Sequence, residues 1–436
     1  MNSTFESLGV NARLVEALTN SGLTTALPIQ ELCIGDALQG KDVCGKANTG
    51  SGKTLAFGIP VLQIAERGSS LHPTALILVP TRELAVQVYD VLFALSGGNR
   101  RRVDVVYGGV SISRQANAIR RGVDIIVATP GRLIDLLNRR MVVLDHVSMV
   151  VLDEADRMAD MGFLPQVEEI MDATSEHRQT MLFSATLDGV IDGLVRHYMS
   201  NPIRHEVVSA APTVDSMVHH FFAVSDADRA EVVYTMSAGA NRTLVFSRTQ
   251  HGADRLAKRL ESKGVEVSVM HGGIRQAARE RALDRFSSGR ASILVATDVA
   301  ARGLDVSGLD LVIQFDLPED HKTYLHRAGR TARAGEKGVV ATLVLDHQWR
   351  EIRRMQKMLG LNQGIAPARS DDDRLKDVAS GSTELIPVGV PADQNFSDSR
   401  PRGNYSRPNS SARRSQGSSS SGSSYGRSRS GSFRSR

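Results

Sequence analysis

The segment Ala47-Asn-Thr-Gly-Ser-Gly-Lys-Thr54 follows a short apolar run, Asp42-Val-Cys-Gly45, and leads into Leu55-Ala-Phe57. That context is a strand, a glycine-rich turn and a helix. Gly50 and Gly52 permit close backbone approach to an anion, and a helix opening near Lys53 directs its positive dipole end there. The backbone N–H groups from Ala47 through Asn48, Thr49 and Ser51 can wrap phosphates, Lys53 supplies charge, and the Thr54 hydroxyl suits Mg²⁺. Such a loop belongs in an open α/β sheet, which binds ligands at the carboxyl ends of its strands.

Further along, Met149-Val-Val-Leu152 reads as a buried strand running into Asp153-Glu-Ala-Asp156. Asp153, at the carboxyl end of that strand, is placed to hold the metal through water, and Glu154 to orient and deprotonate the attacking water. Taken alone, the four residues equally suit an N-cap and first-turn acids of a helix. The phosphate loop upstream favours the nucleotide reading.

Up to about residue 360, short β-branched runs alternate with longer amphipathic segments, as in a parallel sheet covered by helices. Six runs read as strands in the first part: Asp42–Gly45, Ala75–Val79, Val103–Val106, Asp124–Val127, Met149–Leu152 and Gln179–Phe183. After about residue 215 the pattern restarts with His219–Val224, Thr243–Phe246, Val265–Met270, Ser292–Ala296, Leu311–Phe315 and Val339–Val344. The expectation is two doubly wound α/β domains in tandem, residues 1–208 and 216–360, joined by 209–215. A helix from His347 to Met358 closes the second, and residues 361–436 form a low-complexity tail.

The chain of 436 residues is long enough for both cores. Nine of its 53 basic residues are arginines after residue 399, where no acid occurs, so the folded part is slightly acidic. Ser, Gly and Arg dominate that tail, with Tyr405, Tyr425 and Phe433 interleaved, a composition that cannot offset ordering entropy and is expected to be disordered. Arginine attracts phosphates and aromatic rings stack on bases, so weak sequence-independent RNA binding is expected of it. Cys33 and Cys44 match no zinc spacing and read as core thiols. No apolar run is long enough to span a membrane and the first residues lack a signal-peptide pattern, so a cytoplasmic protein is expected.

The ordered motifs resemble those of DEAD-box ATP-dependent RNA helicases over roughly residues 5 to 345. They comprise Phe5, Gly22 to Gln30, the phosphate loop, Pro80-Thr-Arg-Glu-Leu-Ala85, Gly108-Gly109, Thr129-Pro-Gly-Arg132, Asp153 to Asp156 and Ser184-Ala-Thr186. The second domain adds Val245-Phe-Ser-Arg248, Gln276-Ala-Ala-Arg279, Ala296-Thr-Asp to Asp305 and His326-Arg-Ala-Gly-Arg-Thr-Ala-Arg333. The resemblance implies two RecA-like domains that hydrolyse ATP with Mg²⁺, held by Thr54 and Asp153. Gln30 would bond the adenine edge, Phe5 would pack on the ring, and Asp305 would meet the ribose or phosphate network. Arg330 and Arg333 would act as arginine fingers, while Ser184, Thr186 and His326 would couple the acidic segment to the second domain.

For RNA, the resemblance implies phosphate contacts from Pro80, Thr81, Arg82, Gly109, Thr129 and Arg132, and from Arg248, Gly272, Gln276, Arg279 and Thr297. Such groups position a strand without reading its bases. The implied activity is RNA-dependent ATP hydrolysis that separates short duplexes locally and non-processively, or remodels ribonucleoproteins. The alternative is an ATP-gated RNA clamp that recruits partners, such as RNA-decay or other ribonucleoprotein components, through the tail. A monomer is expected, with DNA unwinding the weaker third reading.

Overall fold

Aliphatic runs covered on both faces need no polar alternation, and the central strands here are fully buried for that reason. The structure, a computed structural model, describes residues 3–47, 50–99, 101–187, 189–207, 217–301, 308–331 and 338–381. All of them lie in one compact unit, Met1–Pro391. The first half carries β1 (Val43–Lys46), β2 (Ala75–Leu78), β3 (Val103–Val106), β4 (Ile125–Ala128), β5 (Met149–Asp153), β6 (Gln179–Ser184) and β7 (Ile203–Glu206). The second carries β8 (Met217–Ala223), β9 (Thr243–Phe246), β10 (Val267–Met270), β11 (Ile293–Ala296), β12 (Leu311–Gln314), β13 (Gly338–Val344) and β14 (Ile365–Pro367).

Each half is a parallel sheet, ordered β3-β4-β2-β5-β6-β1-β7 in the first and β10-β11-β9-β12-β13-β8-β14 in the second. The two orders are the same, offset by seven strands. Each is doubly wound, with apolar clusters on both faces of the sheet. Cys33 and Cys44 lie in separate apolar clusters of the first half, where burial pushes the thiols up to about 12 and about 11. Among the described residues no helix is long and apolar enough to cross a membrane.

Two strands escaped the sequence reading. β7, Ile203-Arg-His-Glu206, is an edge strand with alternating exposure, and β14 pairs with β8 along one side only. The second half therefore continues past residue 360, which corrects the expectation that a tail begins at 361. After β14, a 3₁₀ segment, Asp373–Ser380, packs on the helix Arg229–Ala238 through buried Leu375 and Val378. A Cβ on Gly239 would lie 1.7 Å from the Lys376 carbonyl oxygen, so this docking requires a glycine there. The linker 209–215 and residues 382–436 lie outside the described residues.

One buried charge ties the first sheet to its loops. Asp124, fully buried just before β4, accepts hydrogen bonds from the N–H of Gly68 (2.9 Å), the N–H of Arg102 (2.8 Å) and Arg102 Nε (3.1 Å). Burial pushes its carboxyl up, but these bonds outweigh it and hold Asp124 below the usual carboxylate range. A depressed folded-state value contributes stability above the unfolded value of about 4 and loses it as pH falls through the folded one. Asp124→Ala is expected to cost about 3–5 kcal/mol by stranding buried partners. Urea unfolding at neutral pH and at about pH 3 checks this, since the variant's deficit should shrink in acid.

Candidate functional site

The phosphate loop is held from three sides. The Ala47 N–H donates to the Ser184 carbonyl oxygen (3.0 Å), so the loop leaves β1 tied to the end of β6. Gly50 and Gly52 adopt φ of +83° and +87°, the left-handed region that glycine enters without strain. A Cβ on Gly52 would also sit 2.5 Å from Gln30 Nε2. That amide donates to the Gly52 carbonyl oxygen (2.9 Å), while Gln30 Oε1 accepts from the Leu27 N–H (2.9 Å). The helix Lys53–Ile64 starts directly after, and buried Lys53 folds back to donate from Nζ to the Ala47 carbonyl oxygen (3.0 Å).

Opposite the loop, β5 delivers Asp153, only 3% exposed. Burial pushes its carboxyl up, and the Lys53 ammonium pulls it down. A buried carboxylate in that condition suits a hard cation such as Mg²⁺, which prefers oxygen donors. Glu154 turns the chain from strand to helix in a left-handed backbone, φ +51°. Its carboxylate pairs with Arg157 (2.8 Å), and both side chains are buried. The Ser184 hydroxyl oxygen accepts the N–H groups of Asp156 and Thr186, each at 3.3 Å.

Arg157 also lines a narrow cleft with His326 and Arg330 of the second half. Burial holds the His326 imidazole below its usual value, the Arg157 charge adds to this and the Asp156 charge opposes it. Arg330 is 5% exposed and donates from Nε to the His326 carbonyl oxygen (3.3 Å). The neighbouring Arg327 is spoken for: Asp298 takes its Nε (2.6 Å) and Nη2 (2.7 Å), and the Asp316 carbonyl oxygen its Nη1 (2.6 Å).

A second set of contacts crosses between the halves. Arg279 Nη2 pairs with Glu83 Oε1 (2.9 Å), both buried, and the Gln276 side chain reaches Glu83 and Arg82, each at 3.5 Å. Gly109, at φ +88°, leaves room for the Arg82 guanidinium, which a Cβ there would meet at 2.5 Å. Arg132 is turned inward, donating to the Val110 carbonyl oxygen (3.0 Å) and Gln115 Oε1 (2.8 Å).

Two family models match the chain: DEAD/DEAH box helicase over residues 27–193 and helicase conserved C-terminal domain over 228–335. The ATP-dependent RNA helicase CshA of Limosilactobacillus reuteri is 40% identical over 384 residues, 87% of this chain and 77% of the relative. The DEAD-box ATP-dependent RNA helicase RhpA of Helicobacter pylori is 38% identical over 355 residues, 81% of this chain and 72% of the relative. The chain belongs to the DEAD-box family of ATP-dependent RNA helicases. Among solved structures, S. cerevisiae Dbp5 bound to RNA and ADP BeF3 superposes with a TM-score of 0.76 at 27% identity, covering 88% of this helicase and all of that chain. Mss116p bound to ssRNA and AMP-PNP gives 0.73 at 26% identity, covering 88% of this helicase and 83% of that chain.

In this helicase, then, the structure brings together Ala47, Gly50, Gly52, Lys53 and Gln30 on one side and Asp153, Glu154 and Ser184 on the other. Asn48, Thr49, Asp305 and Arg333 lie outside the described residues. Phe5 is 2% exposed within the apolar cluster of the first half, where it anchors the N-terminal segment. Gln30, expected at the adenine edge, spends its amide oxygen on Leu27 and one amide proton on Gly52. Of the expected RNA contacts, Arg82, Gln276 and Arg279 meet across the halves. Thr81 caps a helix start through the Leu84 N–H (3.2 Å), and Thr129 and Thr297 are buried at strand ends. Arg248 stands apart, donating to the Leu317 carbonyl oxygen (3.0 Å). Glu83 and Arg157 had been given no role. Glu83 lay inside a motif, but its partner Arg279 becomes evident only once the halves are packed, whereas Arg157 lies just past the acidic segment and pairs with Glu154 three residues back.

Proposed function

We propose that this helicase separates short RNA duplexes locally, or remodels ribonucleoproteins, by closing its two halves on RNA when ATP binds. The observation that carries this reading is the buried Arg279–Glu83 pair beside Arg82 and Gln276. It joins the phosphate-contacting motifs of the two halves, and the Arg157, His326 and Arg330 cleft spans the same two halves near the acidic segment. Nucleotide and RNA therefore act on one equilibrium, and each raises the affinity for the other by the same factor. Asp153 and Thr54 would hold Mg²⁺, which would supply positive charge against the developing phosphate charge. Lys53 holds the phosphates, Glu154 takes a proton from the attacking water, and Arg330 stabilises the transition state from the second half. Hydrolysis loosens closure and resets the clamp.

Local opening predicts that strand separation falls steeply with duplex length while RNA-stimulated ATP hydrolysis does not. Unwinding of a short and a long RNA duplex, each with ATP and with a non-hydrolysable analogue, tests it. Length-independent rates would mean translocation, and long-lived binding without strand release would favour the clamp. Arg279→Ala is expected to cost about 3–5 kcal/mol of closed-state stability by leaving Glu83 buried and unpaired. Measured RNA affinity should then stop responding to the ATP analogue. Intact mutual enhancement in that variant would remove the Arg279–Glu83 pair from the coupling.

A further inference from the structure

The shared strand order sets β8, β9 and β12 of the second half where β1, β2 and β5 stand in the first. In the first half, Lys53 and Thr81 follow the first two of those strands and Asp153 ends the third. In the second, the residues after the same three strands line a cavity of about 270 Å³. Asp226 and Arg229 follow β8, Arg248 and Thr249 follow β9, and Asp316 lies just past β12. The sheet reverses its winding direction here, and open α/β sheets form their ligand crevices at such points.

Its chemistry differs from that of the first site. Ser225-Asp226-Ala227-Asp228 contains two acids and no glycine, so no phosphate cradle forms. Arginines line the space instead: Arg229, Arg248, Arg255 and Arg259. Arg229 is 7% exposed, lies 3.8 Å over the Phe315 ring and pairs with Asp316 (2.7 Å), yet its buried Nε has no hydrogen-bond partner. Arg255 and Arg259 are exposed, one turn apart on the helix Gln250–Glu261, and their side chains make no hydrogen bond or ion pair among the described residues. Like charges at that spacing repel, which an anion between them would relieve. Asp226, 86% exposed, is the only acid besides the committed Asp316 among the lining residues, so the cavity is net positive.

We propose that this cavity is a second anion site, the counterpart of the nucleotide site in the other half, and that it takes a compact phosphate group. The free form would be a pyrophosphate-like anion, and the tethered form the 5′-phosphate of an RNA strand. Arg255 and Arg259 furnish the charge-assisted hydrogen bonds, and the helix N-terminus beside Thr249 adds its dipole.

The test titrates inorganic pyrophosphate into the full chain with the first site filled by a non-hydrolysable ATP analogue, followed by calorimetry. One saturable site is expected. Arg255→Glu with Arg259→Glu should weaken it at least about tenfold. Lys258→Glu, on the same helix but outside the cavity, should leave it nearly unchanged, and thermal unfolding verifies that both variants fold. Stronger competition by a 5′-phosphorylated RNA than by its 5′-hydroxyl twin assigns the group to RNA ends, and equal competition assigns it to a free anion. Absence of a saturable event, or equal loss in Lys258→Glu, overturns the proposal.

Discussion

Glu154→Gln is expected to lower ATP turnover by about 10²–10⁴-fold, the usual contribution of a positioned general base, while nucleotide binding persists. Binding persists because the proposed phosphate contacts belong to other residues, the loop amides and Lys53, with Asp153 acting only through the metal it would hold. The glutamine can still accept from Arg157, so the buried guanidinium keeps a partner and the left-handed turn at residue 154 keeps its support. Single-turnover hydrolysis beside equilibrium binding of a fluorescent ATP analogue separates the two effects. Turnover at the wild-type rate would end the assignment of Glu154 as base.

The same geometry gives Arg157 a positioning role. A non-glycine residue in the left-handed region costs about 1–2 kcal/mol, and something must hold it there. The Arg157–Glu154 pair does so from one turn along the helix Ala155–Asp160. Because the guanidinium also borders the cleft with His326 and Arg330, the orientation of Glu154, the proposed base, would respond to the second half.

How much of this could be read from the residues alone follows from how each part is stabilised. β9 begins and ends where its β-branched run does, since apolar composition alone accounts for a strand buried between layers. β7 and β14 pair on one side only and carry polar or proline residues, so no run marks them. Asp373–Ser380 is half charged, and two apolar residues three apart suffice only because the helix Arg229–Ala238 offers a surface. The phosphate loop and acidic segment were legible because backbone chemistry demands those residue types at those spacings. Glu83 was not, for a carboxylate on a rim meant for phosphates makes sense only when Arg279 arrives from some two hundred positions away. Likewise Arg248 matched an RNA-contact motif, yet it lines the arginine cavity of its own half.

Arg330→Ala should have the largest effect of any substitution outside the first half. An arginine delivered to the transferring phosphate contributes about 10³–10⁵ in rate, and lysine is a poor substitute because it lacks the planar fork. In this helicase Arg330 comes from the second half, so it contributes nothing to ATP binding before closure. The rate of hydrolysis with RNA present should therefore collapse, while ATP affinity measured without RNA stays near wild type. An equal loss in both would make Arg330 a binding residue instead. Its neighbourhood sharpens the test. Arg330 and Arg157 border one cleft, and if Arg157 acts through Glu154 as proposed, removing either should disable the same closed arrangement. Groups that work as one unit lose less in combination than the sum of their separate losses. Arg157→Gln combined with Arg330→Ala should hydrolyse ATP scarcely more slowly than Arg330→Ala alone. Fully additive losses would mean that base and finger operate independently, and that the cleft between them carries no information from one half to the other.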